Sequence, residues 1–200
     1  MMILTLGRLG AAVGIAVIAA ASASATMASG AYAGEIGQYA AEADVLLQQG
    51  KPQEALDAFD LATDAFWQAS PLQFRTATLV EAAAAFGNYT PRADAAFRSG
   101  ETAMVYLEPV GYGFIQDDAS LSVAFTTGLE IRTPGGLILA KADDFGDLEW
   151  RGRTKTREFH ATVAVALPDL KPGDYVVRLT LADRASAKSA TVTMPFSIVK

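Results

Sequence analysis

Near residue 92 the spacing of apolar side chains changes from three-and-four to every second position. That switch restricts the chain to folds in which helices and strands are segregated. Upstream of it, Ile36, Tyr39, Ala40, Ala43, Leu46 and Leu47 share one helical face. Gly50 follows as a helix stop, and Pro52 suits the first turn of the next helix. Ala55, Leu56, Phe59, Ala62, Ala65 and Phe66 repeat the helical period. Ser70-Pro71 has the form of an N-cap with Pro at the first helical position. A third helix is therefore predicted, turning Phe74, Ala77, Val80, Ala84 and Ala85 inward and ending at Gly87-Asn88.

Downstream the alternation is that of half-buried strands. It is clearest along Leu121–Ile131, Phe159–Leu167, Tyr175–Leu181 and Val192–Ile198. Weaker strands are predicted at Thr102–Glu108, Leu137–Lys141 and Leu148–Arg151. Pro134-Gly135-Gly136, Pro172-Gly173 and the polar stretch Asp183–Ser189 supply the turns between them. Seven short strands, each with one apolar face, predict an antiparallel two-sheet sandwich.

The first 33 residues carry one charge, Arg8, then the apolar run Leu9–Ala20 and a stretch of small residues. This is the layout of a secretory signal peptide. Cleavage is expected after Ala33, in Ala31-Tyr32-Ala33, or alternatively after Ala25, in Ala23-Ser24-Ala25. The apolar run is short of the ~20 residues a spanning helix needs, so no membrane span is expected after cleavage. Loss of Arg8 leaves 15 basic against 22 acidic side chains, a net charge of −7. Such a balance argues against a nucleic-acid partner, which requires a basic face. The chain has no cysteine, hence no disulfide, and a domain exported in that state must rest on its core. A periplasmic or secreted location follows as the expectation.

Two resemblances refine the fold expectation. Tyr39, Ala43 and Leu46, then Gly50, then Ala55, Phe59 and Ala62 resemble one tetratricopeptide repeat, whose helices cross closely at small residues. Glu42 stands where that family usually has Leu, and Pro71 falls about one turn late. The run Leu170–Tyr175 resembles the corner before a late strand of immunoglobulin-like and fibronectin-type domains, where a Tyr hydroxyl returns to the backbone. The family's paired cysteines are missing. As a whole the layout resembles uncharacterised exported bacterial proteins that join a single tetratricopeptide-like hairpin to an immunoglobulin-like β-sandwich.

Chemistry-bearing motifs are few. His160 is the one histidine, on the polar side of its strand beside Glu158 and Thr162, and no G-x-S-x-G elbow accompanies it. One His and no Cys make a transition-metal centre unexpected. Carboxylates cluster in two stretches read as loops, Asp117-Asp118 and Asp143-Asp144 with Asp147 and Glu149. They offer hard oxygens of the kind Ca²⁺ takes, but without the EF-hand spacing. Gly111-Tyr112-Gly113 and Gly135-Gly136 do not precede a helix N-terminus, as a phosphate cradle would. Arg151, Arg153, Lys155 and Arg157 alternate along a strand leading into His160, and Trp150 lies beside them. Glu108-Pro109-Val110-Gly111-Tyr112-Gly113-Phe114 reads as an aromatic, glycine-bearing loop.

The expected organisation is an α+β protein: a signal peptide over 1–33, a three-helix tetratricopeptide-like segment over 34–91 and an immunoglobulin-like sandwich over 92–200. No catalytic residue, metal or cofactor is expected. The expected role is a non-catalytic interaction or accessory protein of the cell envelope, binding a protein partner through a surface that includes Tyr112, Trp150, Arg153 and Glu108. The alternative is a carbohydrate-binding module that recognises an envelope glycan through sandwich aromatics and basic residues.

Overall fold

The computed structural model describes residues 3–4 and 29–200, with side chains from Gly34 onward. Most of the signal peptide expected over 1–33 lies outside the described residues. Two compact units result, one helical and one built of strands.

The helical unit is a hairpin of α1 (Ser29–Gln48) and α2 (Pro52–Ala69). Its turn follows from Gly50, whose φ of +73° is the left-handed conformation that ends a helix most readily on glycine. Gly50 N–H donates to the Leu47 carbonyl (3.1 Å) and Lys51 N–H to the Leu46 carbonyl (3.0 Å), the two bonds of a Schellman stop. Pro52 opens α2, and Ala43, Ala55, Ala58, Ala62 and Ala65 are buried, as a seam of small side chains allows. Leu47, Leu56, Phe59 and Phe66 stay 57–61% exposed. α1 runs through Ala31-Tyr32-Ala33, so a signal peptidase acting after Ala33 would have to unwind its first turns. Among the described residues no helix is long and apolar enough to cross a membrane.

The third helix does not form. Ser70 ends α2 instead of starting a helix: its hydroxyl and its N–H both donate to the Phe66 carbonyl, at 2.8 and 3.0 Å. From Gln73 to Ala85 the chain is a 13-residue strand. Phe74, Ala77, Val80 and Ala84 fit a helical spacing on paper. But Phe74, Thr76, Thr78 and Val80 bring aromatic and β-branched character that packs well on a pleated surface, and alanine is neutral enough to follow. With that helix gone, the three-helix tetratricopeptide-like segment is corrected to a two-helix hairpin.

The β unit takes in the pair β1 (Ile3–Leu4) and runs on from Pro71. Its further strands are β2 (Gln73–Ala85), β3 (Asn88–Pro91), β4 (Ala96–Arg98), β5 (Thr102–Val110), β6 (Ile115–Asp117), β7 (Ser120–Arg132), β8 (Ile138–Gly152), β9 (Ala161–Ala166), β10 (Gly173–Asp183) and β11 (Ser189–Val199). The first sheet has the order β1-β9-β5-β2-β3; the second runs β4-β11-β10-β7-β6, with β8 also paired to β7. Two pairings, β1–β9 and β4–β11, are parallel. Five-plus-six strands with parallel edges correct the expectation of an antiparallel immunoglobulin-like sandwich. The stretches Leu137–Lys141 and Leu148–Arg151, expected as separate strands, are the two ends of β8, bent by a register shift opposite Thr127–Leu129.

Both sheets contribute to the core. Val105, Leu107 and Val163 of the first sheet and Val123, Phe125, Leu148, Leu179 and Leu181 of the second are fully buried. Fully burying each such side chain is worth about 1.5–3 kcal/mol, which replaces the missing disulfides. The outer face of the first sheet is covered as well. Register shifts beyond Val80 and Ala83 curl the β2–β3 hairpin over it, so that Tyr89 stacks on Tyr106 with ring centroids 4.4 Å apart. The Tyr175 hydroxyl donates to the Lys171 carbonyl at 2.8 Å, the corner lock expected from Leu170–Tyr175.

Candidate functional site

Two of the four residues expected to share an interaction surface are buried. Tyr112 is fully buried. Its ring meets Phe114, Phe125 and Phe159 edge-on at 5.6–6.0 Å, and its hydroxyl donates to the Thr156 carbonyl at 2.8 Å. Burial pushes the phenol up to about 12. The turn around it is rigid: a Cβ on Gly113 would come within 2.8 Å of the Ala185 Cβ, while Gly113 N–H donates to Asp183 at 2.7 Å. A residue expected on a surface loop is thus a pin of the core.

Glu108 is also buried, 4% exposed, in β5 rather than in a loop. Its carboxylate accepts from Thr76 Oγ1 at 2.8 Å, from the Tyr106 hydroxyl at 2.7 Å and from Gly87 N–H at 3.2 Å. Burial alone would push the carboxyl above the usual carboxylate range, but these donors outweigh it and hold the group below that range. Tyr106 is pushed up to about 12, first by burial and then by its bond to Glu108. A buried carboxylate so fully hydrogen-bonded ties the β2–β3 turn to β5 and does not face solvent.

Trp150 and Arg153 remain near the surface, in β8 and just after it. The Trp150 ring folds across Gly152, where an added Cβ would lie 2.4 Å from the indole. β8 stops at Gly152 and β9 starts only at Ala161, so the basic run Arg151–Arg157 is mostly irregular chain and not the alternating strand expected. Between these segments lies a groove of about 380 Å³, lined by Leu148, Glu149 and Trp150 on one side and Glu158, Phe159, His160 and Ala161 on the other. It sits where the rim strand of the second sheet approaches the entry to β9.

His160 is the groove residue that sequence reasoning passed over. Its ring lies 5.9 Å from that of Tyr106, and burial holds the imidazole below the usual histidine range despite the opposing pull of the Glu158 backbone and the Glu108 charge. Its Nε2 and the Thr162 Oγ1 are buried polar atoms without a hydrogen bond among the described residues. The sequence signal was available: alternation from Phe159 had already set His160, Glu158 and Thr162 on one side.

The acidic stretches do not form loops that wrap an ion. Asp143, Asp144, Asp147 and Glu149 lie along β8, where Lys141 pairs with Asp143 at 2.8 Å and Arg184 with both Asp147 and Glu149 at 3.4 Å. Asp117 ends β6, and its carboxylate accepts from Asp118 N–H at 2.9 Å. Among the described residues no group of three or more His, Asp or Glu is placed to hold a metal ion.

No family model matches the chain, and no curated protein matches it. Among solved structures it is similar to CopC from Methylosinus trichosporium OB3b, at 16% identity and a TM-score of 0.29, covering 62% of this chain and 93% of that one. It is also similar to the Pseudomonas fluorescens alkylpurine DNA glycosylase AlkC bound to DNA containing an abasic site analog. That match has 8% identity and a TM-score of 0.29, covering 77% of this chain and 40% of that one. Neither likeness is close enough to define the fold or the function.

Proposed function

We propose that the chain is an exported, non-catalytic interaction protein of the cell envelope, and that it meets a protein partner at the groove between Trp150 and His160. Export rests on the leader-like composition of residues 1–33. The observation that carries the binding reading is the groove itself. It is a concave site of about 380 Å³ with a half-exposed indole, set beside a sheet rim. Tryptophan in such a site is the side chain most often responsible for a large share of binding energy. The non-catalytic part rests on His160: the one imidazole stacks on Tyr106, and among the described residues no hydroxyl is hydrogen-bonded to its Nε2 as a nucleophile would be.

A photo-crosslinking side chain placed at position 150 of the exported protein tests this. A discrete protein adduct in living cells is expected from that position and not from Thr193, an exposed residue of β11. No adduct, together with retention on peptidoglycan or polysaccharide that Trp150→Ala abolishes, would replace this reading with the glycan-binding one. The neighbouring, exposed Arg153 favours that second reading, while the burial of Tyr112 removes its other platform.

A further inference from the structure

Sheets protect their rims against stray pairing with charges, proline, bulges or brevity. Three rims here do so. β4 is three residues long, β3 is four and ends on Pro91, and β8 combines a register shift with Lys141, Asp143, Asp144, Asp147, Glu149 and Arg151. β9 has none of these devices. Its six residues, Ala-Thr-Val-Ala-Val-Ala, carry no charge and no proline, and they pair with β5 without a register shift. Its other flank is met, among the described residues, only by Ile3↔Thr162 and Leu4↔Val163, in parallel.

We infer that this flank of β9 is a strand-acceptor edge for an extended, uncharged, apolar segment of a partner protein running parallel to β9, and that Ile3–Leu4 occupies it in the unprocessed chain. Removal of the leader would leave the backbone N–H and C=O groups on this flank of β9 without their strand partner. An added strand satisfies them through main-chain bonds, and the groove at Glu158–Ala161 lies at the start of the same edge to take a side chain. The parallel sense selects the occupant. Two copies joined β9 to β9 by a two-fold axis would run antiparallel, so a second copy does not reproduce the observed pairing. This inference rests on the proposed export and partner binding, but adds where and in what conformation the partner is held.

Amide hydrogen exchange of residues 161–166 tests it, comparing the full chain with its Ile3→Pro/Leu4→Pro form. The edge-facing amides should exchange at least tenfold faster in the substituted chain. A saturating synthetic peptide, MMILTLG, should restore their protection, and the same peptide N-methylated at Ile3 and Leu4 should not. Amides of β8 should be unchanged throughout. Equal protection with and without the prolines, no response to peptide, or protection appearing in β8 would overturn the inference. So would protection that rises with protein concentration alone, since that marks a second copy. Trp150→Ala separates the two proposals. Peptide protection that survives it, together with no adduct from the separate chain carrying the crosslinker at position 150, removes the groove role and leaves the acceptor edge standing.

Discussion

Strands β8 and β9 both lie toward a sheet rim, and they are built to opposite rules. β8 is fifteen residues long and alternates its buried Leu148 with exposed Asp147 and Glu149. Arg184 from the β10–β11 turn braces those two carboxylates. β9 is six residues of alanine, valine and threonine, buried on both faces except for Ala166. A strand buried on both faces reads as interior sheet, yet beyond β9 lies only the two-residue β1. The contrast is between an edge guarded by charges and a strand that carries none.

The largest expected effect sharpens that contrast. Leu107 is fully buried in β5, directly between β2 and β9, whereas Leu139 of β8 is 41% exposed. Leu107→Ala should cost about 2–5 kcal/mol in denaturant unfolding. Leu139→Ala should stay within about 0.5 kcal/mol, as surface changes do. Comparable losses would show that β8 is as interior as β5, the strand on which β9 pairs, and would break the comparison.

Glu108→Gln comes next, at about 1–3 kcal/mol, because the amide cannot accept from Tyr106, Thr76 and Gly87 as the carboxylate does. The same site gives stability a pH signature. Glu108 titrates below its unfolded value of 4.5, so its contribution is present above that pH and is lost as pH falls through the folded value. Tyr106 and Tyr112 titrate at about 12 against 10.0 unfolded, so the unfolded chain loses those protons first. Stability should fall from pH 10 toward 12, with phenolate absorbance appearing together with loss of the fold. Phenolate absorbance that grows fully while the fold persists would show these two rings to be more open than the structure has them.

Two smaller effects address the rims themselves. Ala166→Lys places a charge on the exposed end of β9 and should weaken parallel peptide addition several-fold without lowering thermal stability. Arg184→Ala removes two half-exposed ion pairs from β8 and should cost no more than about 1 kcal/mol.

Much of this architecture could be read from residues whose local chemistry is decisive. Gly50-Lys51-Pro52 defines a helix stop and restart by backbone geometry alone, and Tyr175 can reach the Lys171 carbonyl only if the chain turns a corner there. Strands β7, β10 and β11 announce themselves by strict alternation. The misreadings fall where local chemistry is neutral. Alanines at 77 and 82–85 suit helix or strand, and long-range pairing with β5, from Gln73↔Val110 to Val80↔Met104, decides for strand. Tyr112 and Glu108 look exposed because glycine and proline surround them. Yet a fully buried tyrosine with one carbonyl partner, and a carboxylate with three donors, have the same sequence as a loop. The groove brings together Trp150 and His160, ten positions apart in sequence, because β8 and β9 enter different sheets that meet at one rim. No spacing rule encodes that.

The most direct measurement is an isotope-edited NMR experiment on labelled processed protein with the unlabelled MMILTLG peptide bound. The account predicts cross-strand contacts from peptide residues to Thr162 and Val163, with the Hα–HN pattern of a parallel pair and no close Hα–Hα contacts. An antiparallel pattern, or contacts to β8 in place of β9, would contradict it.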